Sequence, residues 1–523
     1  MSTLAANLSK WIKLGNWSRF LLPRQEDMLF LAIFVAVIGL GPRLLNMDGD
    51  LGRHLTIGNY ILDELTIPTR DIFSHTMGGF QLTPHEWLAQ VVFALSYRIG
   101  GLDGVVILCA LVIAGTFSLV FRQSLSRSRL LVVSLGVTIL GAAAASVHWL
   151  ARPHIFTMGF TVLWVGELEK WRQEETWHWW SIPLLMLVWV NFHGAFIVGV
   201  LIWLIYLVDH LISGNIFTEG ETGSVNNGEL NTNFGTRTRQ LLLVGGLALF
   251  VTVLNPAGWR VWNTTFGFLQ NQYLVSHTVE YQPPDFQMLS FWPFLLMICL
   301  SLLVISLKRT RISIASALLI VSWTAFSLVS ARNIAIYAVV VTPLLAGVAA
   351  SILRENEVFN RMVAFDDRLS LVDSKLIGYF WPLVSSIIIG LLLISGAIFN
   401  YSGTSNQFSE SVFPVRAVNW LSEHPAIEPI FNYFPWGGYL LYRSWPEQRV
   451  FIDGQTDFYG ESLTRQYEKV ITLASGWQAV LEEYDVSRVI MPSDSVLVKG
   501  LMALDGWELV YQDETAAILD SRP

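Results

Sequence analysis

Long apolar runs alternate with short polar breaks along most of this chain. A helix needs about 20 apolar residues to cross a bilayer. On that measure the sequence predicts eleven spans, near residues 28–45, 102–121, 130–149, 155–168, 179–190, 195–211, 240–254, 289–307, 312–329, 333–353 and 376–399. Read as one helix, residues 179–211 would be about 50 Å long, too long for an apolar layer of about 30 Å. The polar and flexible string Asn191-Phe192-His193-Gly194 interrupts it, so two short helices joined by a tight turn are expected. Residues 1–27 place Trp11, Leu14, Trp17 and Phe20 at helical spacing, which predicts an amphipathic lead-in. A second amphipathic helix is expected from His85 to Tyr97, with Trp87, Leu88, Val91, Val92 and Leu95 as its apolar stripe.

Composition agrees with this pattern. The 523 residues are 53% hydrophobic and only 14% charged, whereas soluble domains carry roughly 25% charged residues. The 21 tryptophans suit a chain with many membrane–water boundaries. No basic run suggests nucleic acid as a partner. Cys109 and Cys299 lie in apolar stretches, which argues against a disulfide framework. Lys10, Lys13, Arg19 and Arg24 precede the first apolar run without a nearby small-residue cleavage site, so no signal peptide is expected. With the N-terminus inside, the cytoplasmic segments collect 18 Lys and Arg, against 6 in the opposite short loops. That asymmetry predicts a multi-pass cell-membrane protein with an inner N-terminus and an extracytoplasmic tail. The Gly- and Asn-rich stretch 214–237 is expected to be a disordered cytoplasmic loop.

Chemistry gathers on the outer side. Of ten histidines, eight fall there: His54, His75, His85, His148, His154, His193, His277 and His424. Arg152, Asn255, Arg260, Glu280, Asp285 and Arg332 join them. Polar residues settle in loops without any task, but cytoplasmic loops of comparable length hold only His178 and His210. The densest part is the first outer loop, residues 46–101, with Asp48, Asp50, Arg53 and His54, then His85 and Glu86. From residue 400 to 523 the composition becomes that of a soluble domain. Helices are expected at 417–424, 467–484 and 496–504, and strands at 429–434, 449–453, 488–491 and 507–511, which is a small α/β domain. Its pointed features are Asn432-Tyr433-Phe434-Pro435-Trp436-Gly437-Gly438-Tyr439 and Phe451-Ile452-Asp453-Gly454-Gln455-Thr456-Asp457. Ligand-facing roles for Trp436, Tyr439 and Asp453 compete there with ordinary turn chemistry.

This layout resembles the GT-C superfamily of membrane glycosyltransferases. The resemblance is carried by Asp50-Leu51-Gly52-Arg53-His54, Pro68-Thr69-Arg70-Asp71, His85-Glu86-Trp87-Leu88, Ala151-Arg152-Pro153-His154, Asn191-Phe192-His193-Gly194 and Leu254-Asn255-Pro256. These strings look like a bacterial branch of the superfamily, distantly similar to its oligosaccharyltransferases and protein mannosyltransferases. The resemblance implies a GT-C-like domain over 28–399, about eleven transmembrane helices, and an exoplasmic α/β domain over 400–523. It implies a catalytic aspartate early in the first outer loop, a position matched by Asp50 and its neighbour Asp48. The tail is similar in outline to the aromatic WWDYG motif of oligosaccharyltransferases. However, Phe434-Pro435-Trp436-Gly437-Gly438 has no acid at the motif position, so an Asn acceptor sequon is not implied.

The expected function is transfer of a sugar from a polyprenyl-phosphate donor to an exoplasmic glycan, lipid or protein, among membrane lipids. Such a reaction needs a base for the acceptor hydroxyl, assigned to Asp50, with Asp48 second and His54 beside them. It also needs cations for the departing phosphate, which Arg152 or Arg332 would supply through a two-pronged contact. Either arginine could instead be a helix-end residue reaching for headgroups. His85, Glu86, His154, His193 and Glu280 are further substrate-site candidates. Asp48 and Asp50 could hold a divalent cation, Mg or Mn. A lipid or polysaccharide transporter, and a non-catalytic scaffold of transferase-like fold, are the competing functions.

Overall fold

The computed structural model describes residues 16–173, 176–220, 227–307, 312–396, 406–425 and 429–522. Trp11, Leu14, Lys308, Arg309, Arg311 and the expected domain boundary at 399/400 lie outside the described residues.

Every expected apolar run forms a helix, and the first outer loop adds one that was not expected. In chain order the helices are α1 (Gln25–Gly39), α2 (Asp50–Glu64, in the first outer loop), α3 (Trp87–Ser128), α4 (Leu131–Ala145), α5 (His154–Arg172), α6 (Ser181–Phe192), α7 (Ile197–Gly220), α8 (Asn227–Val251), α9 (Trp292–Leu307), α10 (Ile314–Val329), α11 (Ile334–Glu355) and α12 (Phe380–Ile394). Among the described residues, six stretches within this set are long and apolar enough to cross a membrane alone, and three more helices are apolar but shorter. The protein is therefore a multi-pass membrane protein. Helix α3 breaks at Gly100 and Gly101, where Gly101 takes φ +60°. The break separates the expected amphipathic segment, which starts at Trp87, from the span that follows.

The interruption at 191–194 is real. His193 is extended (φ −163°, ψ 140°) between α6 and α7. Trp87 Nε1 donates to Asn191 Oδ1 at 2.6 Å, and Asn255 Nδ2 donates to Asn191 Oδ1 and to the Val190 carbonyl. Two amides and an indole thus satisfy the polar groups that the broken helix exposes. Most of the stretch 214–237 that was expected to be disordered is not tested: residues 221–226 lie outside the described residues. Helix α7 runs to Gly220 and α8 begins at Asn227, because an existing helix extends cheaply into a polar sequence.

The tail is the expected α/β domain, with a four-stranded sheet of β1 (Ile430–Asn432), β2 (Arg488–Pro492), β3 (Trp507–Gln512) and β4 (Ala516–Ser521) in the order β1-β2-β4-β3. Strands β1 and β2 are parallel and the other pairs antiparallel. The parallel pair is connected through helices α13 (Gly437–Ser444) and α14 (Thr456–Ile471), as a crossover requires. Strand β4 was not foreseen. Conversely, 449–453 is no strand. The Asn432 side-chain oxygen accepts from the Phe451 and Ile452 N–H groups, replacing a ladder, and only Val450 forms a bridge, to Ser74 of the first loop.

That bridge belongs to a broad joint. Thr76 Oγ1 donates to the Phe451 carbonyl at 2.6 Å, and Asn271 Nδ2 donates to Glu461 at 3.0 Å. Helix α13 packs directly on α2. A Cβ at Gly52 would overlap the Gly438 carbonyl, so the two backbones approach as only glycine allows. The tail, the first loop and the loop before α9 therefore share one face of the molecule.

Candidate active site

Asp48, Asp50, Arg152 and Glu280 come from three separate segments and meet at this face. Asp50 is the first residue of α2, where the helix N-terminus favours a carboxylate. Its backbone N–H donates to Asp48 Oδ1 at 3.2 Å, a local turn that fixes the two acids side by side. Arg152 stands just before α5, in a turn followed by Pro153. Its Nε lies 2.7 Å from Asp48 Oδ2, its Nη2 contacts Asp50 Oδ2, and its Nη1 contacts Glu280 Oε1. Each guanidinium nitrogen thus meets a different carboxylate.

Enclosure pushes the Asp48 carboxyl up to about 7; Arg152 pulls it down, while Asp50 and Glu280 reinforce the rise. Burial would raise Glu280 as well, but Arg152 and Arg332 outweigh it and hold this carboxyl well below its usual range. The free oxygen of Asp50, Oδ1, rests against Gly454 of the tail, where any Cβ would overlap it. Replacing Gly454 by alanine is therefore expected to displace Asp50 and cut activity by about 10²-fold while the protein still inserts. Purified Gly454→Ala with wild-type activity would show that Asp50 has room to spare.

Beside this cluster lies a small cleft, open to solvent and lined by His148, His154, His193, Glu280 and Arg332 together with apolar side chains such as Met158. A mostly apolar pocket with a few converging polar groups is the usual form of a small-ligand site. Arg332 projects into it. Its Nη1 donates to the Tyr281 hydroxyl at 2.8 Å, and its Nη2 donates to His193 Nε2 at 3.2 Å. Burial, with Arg332 adding to it, keeps His193 well below the usual imidazole range. Because a guanidinium can only donate, Nε2 is the accepting nitrogen, and Nδ1–H donates to Thr157 Oγ1 at 2.9 Å.

Glu86 sits between His54, His85 and His193, at 3.9, 3.9 and 3.7 Å. Burial raises its carboxyl against the pull of His85 and Arg53. His54 is buried behind it and stacks on Phe93. His154 turns a ring nitrogen to the His148 carbonyl. The structure thus brings together Asp48, Asp50, His54, His85, Glu86, Arg152, His154, His193, Glu280 and Arg332. Asp453 lies at the tail joint, paired with Arg53 at 3.3 Å and accepting from Tyr459 at 3.1 Å. Arg260 begins a separate short helix and does not line the cavity.

One expectation needs correction: Trp436 and Tyr439 are buried core residues. Trp436 is buried and donates to the Val412 carbonyl, while Tyr439 packs among Phe408, Phe413 and Tyr442. Their aromatic bulk fills the core between α13 and its surroundings. Asp48 and Asp50 both face the Arg152 guanidinium.

Sequence reasoning did not assign Tyr281, Thr157, Arg53 or Gln455, whose Oε1 contacts Arg53. Tyr281 follows Glu280 and Arg53 precedes His54, so adjacency to assigned residues was the available signal.

No family model and no curated protein matches the chain. The fold does match solved structures. The apo oligosaccharyltransferase of Archaeoglobus fulgidus superposes with a TM-score of 0.53 at 11% identity, over 88% of this chain and 69% of that one. The same archaeal enzyme, AglB, in complex with an inhibitory peptide and a dolichol-phosphate gives 0.53 at 10% identity over the same shares. Its form tethered to an acceptor peptide with an NVT sequon gives 0.52 at 11%. This chain therefore shares its fold with the Archaeoglobus fulgidus oligosaccharyltransferase: a helical membrane domain carrying a small α/β tail domain.

Proposed function

We propose that this protein is a membrane glycosyltransferase that moves a sugar from a polyprenyl-phosphate-linked donor to an exoplasmic acceptor. The observation that carries this reading is the convergence of Asp50, Arg152, Glu280 and Arg332 beside a cleft with both polar and apolar walls, within a fold shared with an oligosaccharyltransferase. AglB binds a dolichol-phosphate and acceptor peptides, so a lipid-linked donor is the natural occupant of the corresponding space.

Asp50 accepts the proton of the acceptor hydroxyl through Oδ1. The acceptor oxygen forms a bond to the sugar's anomeric carbon as the bond to the donor phosphate breaks. The phosphate leaves with that electron pair and is met by Arg332, with Tyr281 and neutral His193 holding the guanidinium in place. Arg152 is less suited to the phosphate, since its nitrogens already face three carboxylates. Crowding of the polar groups at one face, near the tail, also favours transfer over a transporter with its site at the midplane.

A photoactivatable polyprenyl-phosphate sugar in the membrane should label peptides containing Met158 or Ile336, and unlabelled donor should compete. Labelling confined to other helices would reject this donor site. Orientation is checked separately in a background lacking Cys109 and Cys299. Cysteines placed at Ser126 and Ser475 should react from opposite sides of the membrane, the second from outside. Reaction of both from one side would overturn the arrangement.

A further inference from the structure

Three carboxylates aimed at one point form the kind of oxygen set that takes a hard divalent cation. Here that point holds a guanidinium. Asp48, Asp50 and Glu280 each meet a different nitrogen of Arg152. The arginine is anchored from behind: its N–H donates to the Leu150 carbonyl at 2.8 Å, and the N–H of Ala151 next to it donates to the Leu44 carbonyl at 3.2 Å. Pro153 then caps the start of α5. The side chain is only 23% exposed and crosses between the first loop and the loop before α9.

We infer that Arg152 is a built-in cation that occupies the place a divalent ion would take among Asp48, Asp50 and Glu280, so that the site works without a divalent metal. This deepens the transferase reading and rests on it for the role of the site. Arg152 is a positioning residue: it holds Asp50 by Oδ2 and leaves Oδ1 free beside Gly454. The division of labour follows from the donor geometry. A metal ion could touch the acids and the departing phosphate together, because its coordination sphere accepts oxygens from any source. A guanidinium has a fixed fork of N–H donors, and here it is turned to the acids. Neutralising the phosphate therefore falls to Arg332, whose Nη1 stands 3.9 Å from Glu280 Oε2 at the cavity wall.

The test uses the full-length protein and Mn(II) as the probe, read by electron paramagnetic resonance and by thermal unfolding at pH 7.5. These readouts need no transfer activity, so they judge the cation even if the transferase reading fails. Wild type should show no saturable Mn(II) binding, and chelation should leave its Tm unchanged. Arg152→Ala uncovers three carboxylates and should bind Mn(II) about tenfold or more tightly than wild type. Its Tm should rise saturably with Mn(II), by about 2 °C or more. Arg152→Lys retains a cation and should stay indifferent to Mn(II), which a merely structural role would not require. Saturable Mn(II) binding by wild type, or a fall in its Tm on chelation, would overturn the inference even if Arg152→Ala does not fold. A folded Arg152→Ala that gains no Mn(II) affinity would overturn it as well.

Discussion

Asp50→Asn is expected to lower sugar transfer by about 10²–10⁴-fold, the usual contribution of a general base. The substitution keeps the shape of the side chain, and the amide oxygen can still accept from Arg152 Nη2, where the carboxylate now sits. Asp48 and Glu280 continue to balance the guanidinium, so no uncompensated charge is left inside the site. What disappears is the capacity to take a proton. The protein should therefore insert and unfold much as wild type does, with kcat reduced far more than donor KM is raised. Asp48→Asn is the informative companion. Asp48 has a carboxyl pushed up to about 7 and is held by the same arginine. Unchanged transfer by Asp50→Asn together with its loss in Asp48→Asn would move the base two residues upstream.

The second large effect concerns the donor. Arg332→Lys should raise donor KM by about 10–100-fold, although the positive charge remains. The arginine reaches Tyr281 and His193 with separate nitrogens and lies over the Tyr281 ring at 5.1 Å. A lysine ammonium cannot satisfy both partners and still present a fork to a phosphate. A lost charge-assisted hydrogen bond of about 1.5–3 kcal/mol corresponds to that range. Kinetics at saturating acceptor would show it, and an unchanged donor KM would remove Arg332 from the phosphate's side.

The sequence read most clearly where one physical constraint dominates. Apolar length located the long apolar helices of the membrane domain, because a bilayer demands about 20 apolar residues whatever their order, but it missed the polar helix Asp50–Glu64 of the first loop. The break at His193 was legible because Asn191 and Gly194 interrupt a run too long for one span. Clustering of Asp50, Glu86, Arg152, His193 and Arg332 on one face followed from counting the loops they occupy. What each residue touches was not legible. Arg152 and Arg332 look alike in a sequence, both at span ends, yet one is turned to three acids and the other faces the cavity. That difference depends on the packing of loops more than 100 residues apart, as with Arg152 and Glu280. The tail was misread for the same reason. Trp436 and Tyr439 sit beside glycines, as ligand-facing residues often do, but these glycines allow α13 to press on α2 and the aromatics fill the core behind. Residues 449–453 form a short apolar run that reads as a strand, but the Asn432 side chain takes the Phe451 and Ile452 N–H groups that a ladder would use.

Sugar transfer at the Asp50 face is measured in proteoliposomes containing a polyprenyl-phosphate donor labelled in its sugar. With an exoplasmic acceptor present, wild type should move label from lipid to acceptor, and Asp50→Asn at equal abundance should not. Movement of intact labelled lipid across the bilayer with no label reaching any acceptor would contradict the account and identify a transporter.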